Sequence, residues 1–537
     1  MMKFILLKLC FVLSLIPVLS QKKFISSVHF PDTTKNIIRD KVFGLSEAIK
    51  TTELKPILEF LASDSCEGRE LGTRGNDRAA EFIAAKFNEY GIQKISDSGD
   101  YFQQVGFKWI SWKNINVEIN GFPYKNIWDF VSLATDNEDL KININEIVFL
   151  GYGIESSQYN DYKNVDVKDK VILIYKGEPF SKKGISYVNG KSTASIWSQS
   201  LDLKLIAAKK NGVKCVLIIE DKFKELVDSK RGLILSPSVL LNKDEYAKIQ
   251  LCNSIHLSSS MAVKLLGKSL KKVISYREKI QSKGKPKHFT IKQNIKIEQE
   301  REVSSVSGRN IMAYIEGTDK KNEVVILTAH YDHLGIRGKD VFNGADDNAS
   351  GTTTLTQIAR AFQLAKNKGI SPRRSVLCLL LTGEEKGLLG SMYYVNNPKF
   401  PLQQTIVDIN VDMVGRIDEK YKSKGKYIYV IGSDRISSEL HLLNEKVNND
   451  YSHLIMDYTY NGENDPNKYY YRSDHYNFAE KGIPSIFFFN GTHEDYHRIG
   501  DDSWKIDFNK METIGRHIFI LAWELANRDQ KISKDNN

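Results

Sequence analysis

The chain has 537 residues, 41% hydrophobic and 10% aromatic; this excludes a disordered polymer and exceeds what one hydrophobic core ordinarily holds, so two or three domains are expected. A net charge of +10, from 76 basic against 66 acidic residues, is modest for this size. The one loose basic cluster, Lys268 to Lys287, lacks the interleaved aromatics of an RNA-binding motif and reads as a solvated face, so no nucleic-acid partner is expected.

In chain order, Lys3 and Lys8 flank and interrupt a short apolar stretch, and Leu9 to Leu19 forms its core. The small residues Val18 and Ser20 place a cleavage site before Gln21, so residues 1–20 are expected to be a secretory signal and the mature chain secreted or periplasmic. No later run approaches the ~18 apolar residues that span a bilayer, and no membrane span is expected. Cys66, Cys215, Cys252 and Cys378 are few and widely spaced, which favours buried free thiols and leaves only a Cys215–Cys252 bridge open.

Residues 47–62 and 75–90 carry a helical apolar face, and Gly91 stops the second helix. From about Asn126 the texture changes to short strands and turns (EIVFLGYG, KVILIYKG, KCVLIIED), ending in the Lys-rich stretch at Lys287. From Arg309 strands and helices alternate: VVILTA, a helix over Thr352–Lys366, SVLCLLLT, a helix to Asn397, TIVDINVDM, KYIYVIG, PSIFFFN and a closing helix over Lys510–Arg528. Near-continuous apolar strands between helices predict an α/β fold, a mostly parallel mixed sheet sandwiched by helices, with residues 126–287 as a smaller β-rich inserted domain. The catalytic part is then discontinuous, 21–125 and 288–528, and residues 529–537 are expected to be a disordered tail. Gly190-Lys191-Ser192 imitates the end of a phosphate-binding loop, but the upstream Gly184 is one residue too distant.

Chemistry concentrates after Ala329, in AHYDHLG, FNGADDNASG, TGEEKGLLGS, VDMVGR and EDYHRIGDD. Each follows an apolar run, and ligands of α/β sheets bind beyond the carboxyl ends of strands. Imidazole and carboxylate donors suit zinc, and a bridging carboxylate can hold two ions about 3.5–4 Å apart. His330 and Asp332 read as a metal-binding imidazole and the carboxylate that orients it. Either Asp346 or Asp347 is placed to bridge two ions, or to cap the following helix. Of Glu384 and Glu385, one can ligate while its neighbour accepts a proton. Asp412 ends an apolar strand, where a carboxylate is costly unless paired or metal-bound. His497 supplies the last imidazole; His333 is given no task, and Asp474 and His475 either contact substrate or form a structural pair.

This ordered set resembles the two-zinc aminopeptidases, the family that also contains glutamate carboxypeptidases and glutaminyl cyclases. The resemblance spans His330 to Asp501 and extends upstream to LASDSCEGRELGTRGNDRAAEFI, while FLGYGI, YKNVDVKDKVILIYKGEP and KKNGVKCVLII resemble a protease-associated domain. It implies two zinc ions, one on His330 and Asp412, the other on Glu385 and His497, with Asp347 bridging. It further implies Glu384 as general base, Asp332 as the residue orienting His330, and Tyr496 as a group that steadies the tetrahedral intermediate. The implied activity is an exopeptidase on peptide substrates, foremost an aminopeptidase. A cyclase with one working zinc, a carboxypeptidase or a non-catalytic relative are the alternatives, and the last would be expected to have lost ligands.

Overall fold

The computed structural model describes residues 42–235, 237–242, 251–422 and 426–535. The expected signal at 1–20 therefore lies outside the described residues.

Two helices open this part, α1 (Thr51–Leu61) and α2 (Arg74–Glu89), the second capped by Thr73, whose side chain accepts from the Asn76 N–H. A long strand β1 (Phe102–Ile119) then leaves the catalytic part and enters the inserted unit. There follow β2 (Leu140–Phe149), β3 (Val171–Tyr175), α3 (Leu201–Lys210), β4 (Cys215–Ile219), β5 (Asn253–Leu257), α4 (Ser259–Leu266) and α5 (Leu270–Lys283). The 27-residue strand β6 (Phe289–Ile315) returns.

The catalytic part continues with β7 (Lys320–His330), α6 (Gly351–Asn367), β8 (Arg374–Leu381), α7 (Leu389–Asn396) and β9 (Thr405–Val411). It closes with β10 (Tyr427–Ile431), α8 (Ser438–Val447), β11 (Ile455–Asp457), β12 (Ser485–Phe489) and α9 (Phe508–Asn527). The strand order is β11-β10-β12-β9-β7-β8-β6. The four central strands β12, β9, β7 and β8 run parallel; β6 is antiparallel to β8, and β10 to β12.

Successive residues of these strands enter opposite cores, which is why the sequence shows apolar runs rather than alternation. Val325, Leu327, Val376 and Cys378 pack with α1, α2, α6 and α9 on one face. Val324, Ile326, Leu377 and Leu379 pack with Tyr394, Val395 and Phe478 on the other. Each such side chain contributes about 1.5–3 kcal/mol on burial.

The inserted unit repeats this plan on a smaller scale. Strands β2, β3, β4 and β5 are parallel in that order. One face packs on α4 and α5 through Met261, Leu265, Val273 and Ile280, the other on α3 through Leu205 and Ala208. The unit is thus helix-covered as well as strand-rich. Its core also takes Val117 and Ile119 before residue 126, and Ile291, Ile295 and Ile297 after residue 287. The packing of the inserted unit therefore reaches past the boundaries expected at 126 and 287 into β1 and β6, which pair antiparallel from Phe102↔Ile311 to Ile119↔Ile295.

The segment after Arg528 is ordered up to Asp535, contrary to the expected disordered tail. Its polar side chains find partners on α8: the Ser533 N–H donates to Glu439 (2.7 Å), and Asp535 accepts from the Ser438 N–H (2.9 Å). Ile532 buries beneath it. All four described cysteines are free and buried, Cys215 and Cys252 included; the Cys252 thiol donates to the Val213 carbonyl at 3.2 Å.

Candidate metal centre

The carboxyl ends of the parallel strands converge on one acidic cluster. His330 closes β7, Glu384 and Glu385 lie in the turn after β8, Asp412 immediately follows β9, and His497 comes from the loop after β12. Asp347 stands in the turn leading into α6. That turn needs Gly344: its φ is +54°, and a Cβ there would lie 2.1 Å from the Asp347 carbonyl oxygen and 2.4 Å from the His333 ring.

Asp347 is central. Its Oδ1 is 3.5 Å from His330 Nε2, and its Oδ2 is 3.1 Å from His497 Nε2. Each histidine has a further carboxylate beside it, Asp412 Oδ1 at 3.3 Å from His330 Nε2 and Glu385 Oε2 at 3.3 Å from His497 Nε2. His330 Nδ1 lies 3.1 Å from the Asp332 backbone carbonyl, an arrangement in which Nδ1–H donates and Nε2 keeps its lone pair for a ligand. The Asp332 carboxylate is farther, at 3.9 Å, and instead accepts the Glu384 N–H at 3.1 Å, so it orients the glutamate loop directly and the histidine through its main chain. The Asp412 carboxylate is steadied by the Ser473 hydroxyl at 2.7 Å.

The electrostatics follow from crowding carboxylates in a buried place. Burial works against a charged His330, yet Glu384, Asp412 and Asp347 together hold its pKa well above the ordinary histidine range. His497 is likewise pushed up to about 10 against the effect of burial, through Asp347 and Glu385. Burial, joined by the charges of Glu385, Asp412 and Asp474, drives Glu384 well above the usual carboxylate range. Glu385 goes the other way, because hydrogen bonds from His333 and His497 outweigh its burial. Two donor triads, His330–Glu384–Asp412 and His333–Asp347–Glu385, are compact enough to hold a metal ion each. Nitrogen and oxygen donors in such excess of negative charge fit a pair of divalent cations.

Further residues take defined places around the centre, among them His333, for which no task was expected. His333 Nδ1 is 2.8 Å from Glu385 Oε1, while its Nε2 is buried without a hydrogen-bond partner among the described residues. Asp501 accepts the backbone N–H groups of both Asp346 and Asp347 at 3.0–3.1 Å and so fixes the turn that presents the central aspartate. Asp346 faces away, accepting from Gly415 N–H and Asn490. Asp474 is buried behind Ser391, and burial lifts it to about 7; His475 is buried too, stacked on Phe487.

Beside these donors lies a small cavity of about 30 Å³, lined by His330, Glu384, Met413, Tyr469, Phe487, Phe489 and Tyr496. Tyr496 stacks on His497 with ring centroids 3.9 Å apart, and its hydroxyl accepts from Arg472 at 3.2 Å. His497 itself is held at φ +56°, which a non-glycine residue rarely adopts. The surrounding turn bonds (Tyr496 N–H to His493 O, Arg498 N–H to Asp495 O) enforce it.

Comparison with known proteins places this architecture. Residues 310–522 match the family model of Peptidase family M28. The chain is 28% identical over 225 residues to Aminopeptidase YwaD of Bacillus subtilis, covering 40% of this chain and 43% of that protein. It is 35% identical over 112 residues to a probable zinc metalloprotease of Pyrenophora teres f. teres, covering 20% of this chain and 22% of the relative. The matches thus span less than half the length of these curated relatives. Among solved structures, an aminopeptidase from Aneurinibacillus sp. strain AM-1 superposes with a TM-score of 0.54 at 17% identity, over 92% of this chain and 98% of that one, a likeness of fold.

Proposed function

We propose that this chain, which carries a Peptidase family M28 domain over residues 310–522, is an exported zinc-dependent exopeptidase that removes amino-terminal residues from peptides. The observation that carries the reading is the position of Asp347, whose two oxygens face separate histidines, each with its own second carboxylate. His330 and Asp412 would hold one zinc, Glu385 and His497 the other, and Asp347 would bridge them. The printed description of the Pyrenophora relative as a zinc metalloprotease supports the choice of metal, and that of YwaD supports the aminopeptidase class.

When bound, the two zinc ions supply Lewis acidity to the scissile carbonyl and lower the pKa of the attacking water. Glu384 is the general base: it lines the cavity, and its loop is anchored by the N–H bond to Asp332. It accepts the proton of the attacking water and returns it to the leaving amine. The Tyr496 hydroxyl lines the same cavity and donates to the oxygen on which negative charge develops. Met413, Tyr469, Phe487 and Phe489 form the apolar part of the cavity wall. Export rests on the Leu9–Leu19 run and its flanking lysines.

The test is hydrolysis of a panel of aminoacyl 4-nitroanilides by zinc-replete protein, with zinc measured by elemental analysis. Two zinc ions per chain and turnover of aminoacyl anilides are expected. One zinc per chain with cyclisation of amino-terminal glutamine would replace this reading with the cyclase one. Release of carboxy-terminal residues alone would replace it with the carboxypeptidase one.

A further inference from the structure

We propose that Arg69 and Glu70 are positioning residues that lock the three ligand-bearing loops together, so that the metal pair is held tightly only while this dipeptide is intact. The inference rests on the two-metal reading above and extends it to residues outside the matched stretch 310–522.

Arg69 is wholly buried, and among the described residues its guanidinium has no carboxylate partner in contact. It donates instead to four main-chain carbonyls: Leu61 at the end of α1, Tyr331 (2.7 Å), Asn343 (2.6 Å) and Gly344 (2.9 Å). Tyr331 sits between His330 and Asp332; Asn343 and Gly344 lead into Asp347. The Arg69 carbonyl in turn accepts the His333 N–H at 3.3 Å and the Asn76 side-chain amide at 3.0 Å. One side chain therefore binds α1, the histidine loop and the aspartate turn.

Glu70 reaches the third loop. Its carboxylate accepts from Lys386, the residue after Glu385, at 2.7 Å. It also takes a two-pronged bond from Arg337 at 2.8 and 2.9 Å. The preceding Gly68 shows how closely the segment is seated: at φ +63°, an added Cβ would lie 2.5 Å from the Phe342 carbonyl and 2.6 Å from that of Gly335. Only a planar fork with donors on several edges can reach carbonyls spread around Arg69, and a lysine ammonium cannot reproduce that pattern. Groups that orient ligands in this way typically cost about 10–100-fold in metal affinity or activity when changed.

The experiment compares Arg69→Lys, Glu70→Gln and Arg374→Lys in the full chain. Arg374 is the control: also wholly buried and bonded to main-chain carbonyls, of Leu525 and Arg528, but at the start of β8, the opposite end from Glu384. The readouts are zinc affinity by chelator competition, the visible spectrum of the cobalt-substituted protein and the melting temperature of the metal-free protein. Arg69→Lys should weaken zinc binding about 10–100-fold and alter the cobalt spectrum, with Glu70→Gln toward the lower end. Arg374→Lys should lower the melting temperature while keeping parental affinity and spectrum. Parental affinity and spectrum in both Arg69→Lys and Glu70→Gln would overturn the proposal, and if Arg69→Lys does not fold, Glu70→Gln decides alone. A parent that binds two zinc ions yet cleaves no peptide would remove the peptidase reading and leave this one open to the same test; a parent that binds none overturns both.

Discussion

Two parallel stretches of one continuous sheet bring charged side chains to the carboxyl ends of their strands, with opposite electrostatic results. In the inserted unit, Lys176 after β3, Glu220 after β4 and His256 on β5 satisfy one another: Lys176 Nζ is 3.3 Å from both Glu220 oxygens, and His256 Nδ1 is 3.2 Å from one of them. In the catalytic part, Asp347, Glu384, Glu385 and Asp412 crowd around imidazoles that cannot neutralise them all. Topology makes a place for a ligand in both stretches. The ratio of acids to bases decides which place stays open to cations and which closes on itself.

Metal removal should widen this contrast most. A chelator is expected to abolish peptidase activity, and added zinc to restore it, while the inserted unit keeps its unfolding profile; activity that survives exhaustive chelation would contradict the open centre. Asp347→Asn should leave no more than one zinc per chain, since the bridging charge is lost, and elemental analysis reads this directly. Glu384→Gln is expected to keep both ions and the fold but lower kcat by about 10²–10⁴-fold, because an amide cannot accept the proton. Retained turnover in Glu384→Gln, with loss in Glu385→Gln at full zinc occupancy, would reverse the two roles.

The closed cluster predicts a smaller, pH-dependent effect. Burial works against the Glu220 carboxylate, but His256 and Lys176 hold its pKa below the ordinary 4.5. The native state then binds fewer protons than the unfolded state just below that value. The contribution is complete above pH 4.5 and is lost as the pH falls through the native pKa. Glu220→Gln should cost about 1–2 kcal/mol at neutral pH. Its stability should also fall less than the parent's on acidification, as urea unfolding followed by tryptophan fluorescence would show; parallel curves would mean that the cluster does not couple folding to protons. Least of all, a reducing agent should leave the melting temperature unchanged, because Cys215 and Cys252 are free thiols.

The parts of the centre legible in the sequence were those for which local pattern and tertiary place coincide. His330 ends, and Glu384, Glu385 and Asp412 follow, strands whose last seven residues are buried, so an apolar run marks where each must emerge. The helices expected at 75–90 and Thr352–Lys366 form at Arg74–Glu89 and Gly351–Asn367, because their apolar faces are local and Thr73 caps the first. His333, Asp501 and Arg69 act through partners far away in sequence, and nothing beside them marks that role. The strands β1 and β6 hid for another reason: polar stretches such as EQEREVSSVSGRN face solvent along much of their length and mimic a linker. The tail after Arg528 was likewise polar enough to read as unstructured, although its partners on α8 order it.

The pairing of β1 with β6 has a mechanical consequence. Both passages of the chain between the catalytic part and the inserted unit run through this antiparallel ladder, and between Glu300 and Asn310 the β6 strand is joined to β1 without a partner from β2 or β8. The segment Ser238–Leu241 adds a third strand along Phe107–Ile110. A pair of single-chain linkers would let the inserted unit swivel freely; a hydrogen-bonded ladder behaves as a leaf spring. It can flex and twist by small amounts and returns when the load is removed. Displacement of the inserted unit would thus be elastic, with a restoring force that grows with the size of the excursion.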